Sequence, residues 1–191
     1  MTMGTDNTWD SYADNWDSSD DVNIYANNAL DCLVEIVDLK GLNVLDFGCG
    51  TGLLSEKMAT LANHVVAFDT SEKMISVVIN KNIENVTAIS KGLTYNRHSY
   101  FDLIVASSVF AFLPEYEQTL LRLKPLITAK GLFVQWDWFS EKEGAEFALS
   151  EKRISGAFIA AGFHSHAITQ PFSLDSEDGV MPVIMGVAYN N

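Results

Sequence analysis

Positive charge, cysteine and long apolar runs are what this sequence has least of. Its 191 residues hold 12 Lys and Arg against 25 Asp and Glu, a formal net charge of −13. Affinity for nucleic acid is dominated by neutralising phosphate, so a surface this acidic disfavours a DNA or RNA partner. Two cysteines, Cys32 and Cys49, are too few for a disulfide framework and read as reduced thiols. No apolar run approaches the ~18 residues that span a bilayer, so no membrane partner is expected. The opening residues, Met-Thr-Met-Gly-Thr-Asp, lack the positive charge and the apolar stretch of a secretory signal. The expectation is a cytoplasmic protein. Hydrophobic residues at 48% and charged residues at 19% fit a folded soluble chain and exclude disorder, collagen or a coiled coil. With no repeat, low-complexity segment or linker, residues 1–191 read as a single domain, 1–40 being an N-terminal helical extension.

That extension has no Lys or Arg through Leu39 but is rich in Asp. Trp9, Tyr12 and Trp16 are spaced three and then four apart, which predicts their rings on one face of a short helix. Apolar residues at Tyr25, Ala29, Leu30, Leu33, Val34 and Val37 predict an amphipathic helix closed by Gly41. Beyond it, strands alternate with helices. Strands are expected at 44–47, 64–68, 86–89, 101–106 and 132–136, with two closing strands at 163–168 and 183–189. Helices are expected at 53–61 and then behind a Thr70 or Ser71 cap, with Met74, Ile75, Val78 and Ile79 buried. Two more follow, one from Pro114 through Leu120, Leu121 and Leu123, the other at 154–161. Apolar strands alternating with helices mean an α/β fold, a mostly parallel sheet covered on both faces.

The informative segment is Val44-Leu45-Asp46-Phe47-Gly48-Cys49-Gly50-Thr51-Gly52. Glycines at a strand-to-helix turn permit positive φ and let a ligand approach the backbone. Such a turn lies at the carboxyl end of the sheet, where open α/β sheets bind ligands. Asp69 ends the next strand, and a carboxylate there can accept two hydrogen bonds from ribose hydroxyls. A dinucleotide fingerprint needs a third small residue where this chain has the bulky Leu53. Asp46 suits a cationic ligand and repels a pyrophosphate.

These residues resemble motif I of the class I, seven-stranded S-adenosylmethionine-dependent methyltransferases. Asp69 is similar to their ribose-binding acidic residue. The likeness runs from Trp9 to Tyr189 and is nearest to the enzymes acting on small molecules. It implies a Rossmann-like three-layer sandwich with strand order 3-2-1-4-5-7-6, the last inserted strand antiparallel. S-adenosylmethionine is the implied cofactor and S-adenosylhomocysteine its product. By the same resemblance, Gly48, Gly50 and Gly52 bring backbone against the methionyl part, Asp46 lies near its ammonium, and Asp69 holds the ribose. Ser71 and Met74 border the adenine, Ser107 and Val109 line the sulfonium region, and Tyr12 closes a lid. Cys49, Thr70, Lys91 and Gly92 complete the expected cofactor set. Lys91 stands where relatives often place an acidic adenine ligand, and Ala111 and Phe112 replace a His pair, so no catalytic base is named.

Phe110, Phe112, Trp136 and Asp137 are the expected acceptor residues, pointing to a small, partly apolar or aromatic acceptor. Trp136 and Trp138 fall on one side of their strand and Asp137 on the other. Core packing competes for at least one Trp, and Asp137 also reads as a cap for the following helix. The Trp9, Tyr12 and Trp16 face reads equally well as a lid or as packing. His164 and His166 read as a surface pair without a third metal ligand, so no metal site is expected, and His98 reads as a solvated loop residue. A non-catalytic module that binds the same cofactor is the rival function, and a nicotinamide-dependent oxidoreductase is the third.

Overall fold

The computed structural model describes residues 8–93, 100–142, 144–176 and 179–190. The loop assigned to His98 lies outside them. A seven-stranded sheet forms the centre, built from β1 (Asn43–Phe47), β2 (His64–Phe68), β3 (Val86–Ile89), β4 (Phe101–Ser107), β5 (Ile127–Trp138), β6 (Ser165–Ser176) and β7 (Gly179–Tyr189). Its order is β3-β2-β1-β4-β5-β7-β6. The first five strands pair in parallel, whereas β7 runs antiparallel to both β5 and β6.

Alternation along the strands sends side chains to two separate cores. Val44, Val65, Leu103, Val105 and Val134 face α1 (Asp20–Ile36) and α2 (Leu53–Ala59), while Ala67 packs on α3 (Glu72–Asn80). Leu45, Phe47, Ile104 and Phe133 face α4 (Tyr116–Leu123) and α5 (Glu151–Ala160) on the other side. The result is three layers, with the carboxyl ends of β1, β2, β4 and β5 gathered along one rim.

The expected order of elements holds, and the departures have local causes. Trp9, Tyr12 and Trp16 do not lie on one helix. Two 3-10 turns, Thr8–Ser11 and Trp16–Ser18, carry the segment, and the rings still meet at centroid distances of 6.1–6.2 Å. Gly41 does not close α1, which ends at Ile36; at φ +82° it turns the chain into β1. Ser71, not Thr70, caps α3, its Oγ accepting from Met74 N–H. Ile79 and Leu121 are exposed. Strand β5 begins at Ile127, passing through Lys130 at φ +71° as a kink. Strands β6 and β7 run well past the expected limits because they pair with each other beyond the sheet. Their register shifts between Thr169 and Phe172, where Pro171 has no N–H to donate.

Candidate active site

The rim opens into a cleft of about 780 Å³, lined by Gly48 to Thr51 after β1, Asp69 and Thr70 after β2, and Ser107 to Val109 after β4. The first turn is tied to the second, since the N–H groups of Gly48 and Cys49 both donate to Phe68 O, at 2.7 and 2.9 Å. Each glycine there serves a different need. A Cβ on Gly48 would stand 2.5 Å from Val109 Cγ2, and one on Gly52 would stand 2.9 Å from Val78 Cγ2. On Gly50, at φ +55°, it would meet nothing within 4 Å. Gly48 and Gly52 are therefore packing glycines, and Gly50 borders free space in the cleft.

Asp46, one residue before the end of β1, is 1% exposed and lines the cleft. Its Oδ2 accepts from Ser55 Oγ at 2.6 Å, while Oδ1 is buried with no partner among the described residues. Burial raises its pKa to about 7, against the hydrogen bond from Ser55, and the neighbouring Asp69 charge pushes the same way. An orphaned carboxylate oxygen in a cleft is costly unless a donor or cation completes it. Asp69 accepts from Gly50 N–H on Oδ2 at 2.9 Å and from Ser71 N–H on Oδ1 at 2.8 Å. A carboxylate has about four acceptor positions, so capacity remains for a ligand. Burial raises its pKa too, opposed by those backbone donors.

Tyr12, Cys49, Thr70, Met74 and Phe112 also line the cleft. Burial pushes the Cys49 thiol well up, which makes it an inert filler of the turn. Other expected residues lie elsewhere. Ser71 is fully buried as the α3 cap and donates to Asp10. Lys91 is turned outward into an ion pair with Glu72, and neither it nor Gly92 lines the cleft. Phe110 is sealed in the core, at the wall of a separate hollow beneath α4 and α5. Trp136 is fully buried against the α1 side of the sheet. Asp137 faces the opposite side. It caps the 3-10 turn Phe110–Phe112, accepting from Ala111 N–H at 3.0 Å, and accepts from Gln135 Nε2 at 2.9 Å; it does not cap a following helix. All three side chains are buried and none lines the cleft.

Two features carry no signal in the sequence. Asp10 and Asp17, unremarkable in an acidic run, pin the N-terminal strap of residues 8–18 to the site. Ser71 donates to Asp10, Thr51 donates to Asp17, and Lys81 bridges Asp17 at 2.9 Å and Glu56 at 3.0 Å. Trp9 rests edge-on against Phe112 at 5.2 Å, and Phe112 stacks on Phe147. The far wall of the cleft is also unforeseen, being made by α1 and the β6–β7 hairpin. Of the histidines, His166 Nε2 pairs with Ser155 Oγ and His164 is exposed, and no group of three or more potential metal ligands occurs among the described residues. No helix there is long and apolar enough to cross a membrane.

A glycine turn after β1, an acidic residue after β2 and this strand order together define the class I, seven-stranded fold of S-adenosylmethionine-dependent transferases. Residues 45–135 match the family described as a methyltransferase domain, and the fold is that of the class I S-adenosylmethionine-dependent methyltransferases. A ubiquinone biosynthesis O-methyltransferase of Paraburkholderia phytofirmans is 26% identical over 80% of this chain and 70% of its own. The first two curated relatives are spanned over only 36% and 46% of their length. Among solved structures, the methyltransferase in complex with the Haloferax volcanii Trm112 activator matches with a TM-score of 0.80 at 13% identity, over 98% of this chain and 99% of its own. Magnesium protoporphyrin IX methyltransferase from Synechocystis, solved with bound S-adenosylmethionine, matches at 0.67 with 21% identity, over 87% and 79%.

Proposed function

We propose that this protein transfers the methyl group of S-adenosylmethionine to a small, partly apolar or aromatic acceptor, with residues 1–40 serving as an N-terminal lid. The observation that carries the reading is the orphaned Asp46 Oδ1 beside the open Gly50. An ammonium group would complete that carboxylate, and Asp69 has acceptor capacity for a ribose. Gly48, Cys49, Gly50, Thr70 and Met74 would flank the cofactor, with Ser107 and Val109 next to the transferred group and Tyr12 above it. When bound, the sulfonium supplies an activated methyl with a neutral thioether as leaving group. The residues then have to align the acceptor and exclude water, which proximity alone makes worth several powers of ten. The aromatic lining and the strap's rings suit that task. The named relative's action on oxygen makes a hydroxyl the first acceptor atom to try.

Calorimetry with S-adenosylhomocysteine and with NAD tests the cofactor, and product formation across an acceptor panel tests turnover. Binding of S-adenosylhomocysteine alone, followed by a methylated product, is expected. Binding of NAD instead would overturn the reading, and binding without any product would favour a sensor.

A further inference from the structure

Beyond the glycine turn the cleft continues to a second wall, whose chemistry differs from the first. Helix α1 contributes Asp21, Val22 and Tyr25, and the hairpin contributes Leu174, Asp175 and Met181. Leu174 and Met181 are directly paired across β6 and β7. Trp138, the last residue of β5, closes the floor between them. Tyr25 stands edge-on to Trp138 at 5.3 Å and to Phe172 at 5.4 Å, so its ring is clamped from two sides.

Two observations are independent of each other. Tyr25 is 6% exposed, yet it lines the cleft and its hydroxyl has no hydrogen-bond partner among the described residues. Buried Tyr hydroxyls normally find one, because an unmade hydrogen bond costs about 1–3 kcal/mol. Burial, reinforced by the Asp137 charge, holds this phenol protonated, so it is a standing donor. Secondly, the charged residues lining the cleft are Asp21, Asp46, Asp69 and Asp175; no Lys, Arg or His is among the described lining residues. Lys81, close to the glycine turn, is already shared by Asp17 and Glu56. A low-dielectric cleft lined by one sign of charge repels ligands of that sign.

Resting on the proposed transfer reaction, we propose that the chamber between α1 and the β6–β7 hairpin is the acceptor site. It takes a neutral or cationic aromatic molecule, rejects carboxylates, and orients the acceptor's polar atom on the Tyr25 hydroxyl. Tyr25 is thus a positioning residue for the acceptor and has no part in holding the cofactor.

The test uses three catechols of similar shape, with dopamine as cation, 4-methylcatechol as neutral and 3,4-dihydroxyphenylacetate as anion. Each is titrated into full-length protein saturated with S-adenosylhomocysteine. Dopamine and 4-methylcatechol are expected to bind at least about tenfold tighter than the acid. Asp175→Lys, at an exposed position, should bring the amine-to-acid ratio close to one. Tyr25→Phe should weaken 4-methylcatechol by about tenfold, with S-adenosylhomocysteine affinity unchanged and Tm not lowered, because the variant removes an unpaired hydroxyl. A merely structural Tyr25 would lower Tm or leave the catechol untouched. Equal binding of acid and amine, failure of all three to bind, or an unchanged catechol affinity in Tyr25→Phe would each overturn this proposal while leaving the transfer reaction standing. Failure of S-adenosylhomocysteine itself to bind would remove both.

Discussion

Asp46 and Asp137 occupy the same station on two strands, each one residue short of the carboxyl end. Both are almost completely buried, and both have a pKa raised to about 7 by that burial. Their surroundings differ in one respect. Asp137 is answered by the Ala111 N–H and by Gln135, which itself accepts from Tyr116, and the chain around it is closed. Asp46 keeps one oxygen without a partner and looks into the cleft. Burial and a shifted pKa therefore do not distinguish a ligand site from a structural cap. An unanswered hydrogen bond on a residue that lines the cleft does, since Trp136 Nε1 is equally unanswered but walled into the core.

The strongest way to break this contrast is to fill the space next to Asp46. Gly50→Val places a branched side chain there at a left-handed φ, and it should abolish S-adenosylhomocysteine binding in calorimetry while circular dichroism still reports the fold. Asp69→Ala should weaken the same ligand by roughly 10- to 150-fold, about 1.5–3 kcal/mol, because it removes a charged acceptor. Asp137→Ala should do the reverse of both. It orphans the Ala111 and Gln135 donors, so urea unfolding should show a loss of about 2–3 kcal/mol, with ligand affinity within about twofold of the parent. Equal effects on binding from Asp137→Ala and Asp46→Asn would erase the distinction. The latter is expected to cost about tenfold in affinity without loss of stability.

The smallest expected effect is on pH. Both carboxyls hold protons more tightly folded than unfolded, since their pKa values near 7 lie above the ordinary 3.8. Between those values the native state binds more protons, so stability falls as pH rises from about 4 to 7 and then levels off. Ligand binding should run the other way. A cationic group beside Asp46 favours its ionised form, so S-adenosylhomocysteine should bind several-fold tighter as pH rises through about 7. That slope should vanish in Asp46→Asn and persist in Asp137→Asn.

The same contrast explains what could be read from the sequence. The glycine turn, Asp46 and Asp69 were legible because backbone conformation and local spacing encode them; Gly50 at φ +55° and the capped turn at Ser71 need only their neighbours. The proposed acceptor side was not. Phe110, Trp136 and Asp137 stand at the right strand ends, yet what covers each face there is decided by α1, α4 and α5 from remote parts of the chain. The β6–β7 hairpin owes its length to pairing with itself, beyond the apolar stretches that marked its ends. Tyr25 looked like one more core position of α1, and its missing partner together with its place on the cleft wall sets it apart. Asp10 and Asp17 read as solvated charge until Ser71, Thr51 and Lys81 appear opposite them.

Those last contacts bear on traffic through the site. The strap is fastened at Thr51 and Ser71, on the very bends that border the ligand's place. On the proposed reading, the bends that grip the ligand would also latch the strap over it, coupling release of spent ligand to peeling back of the chain.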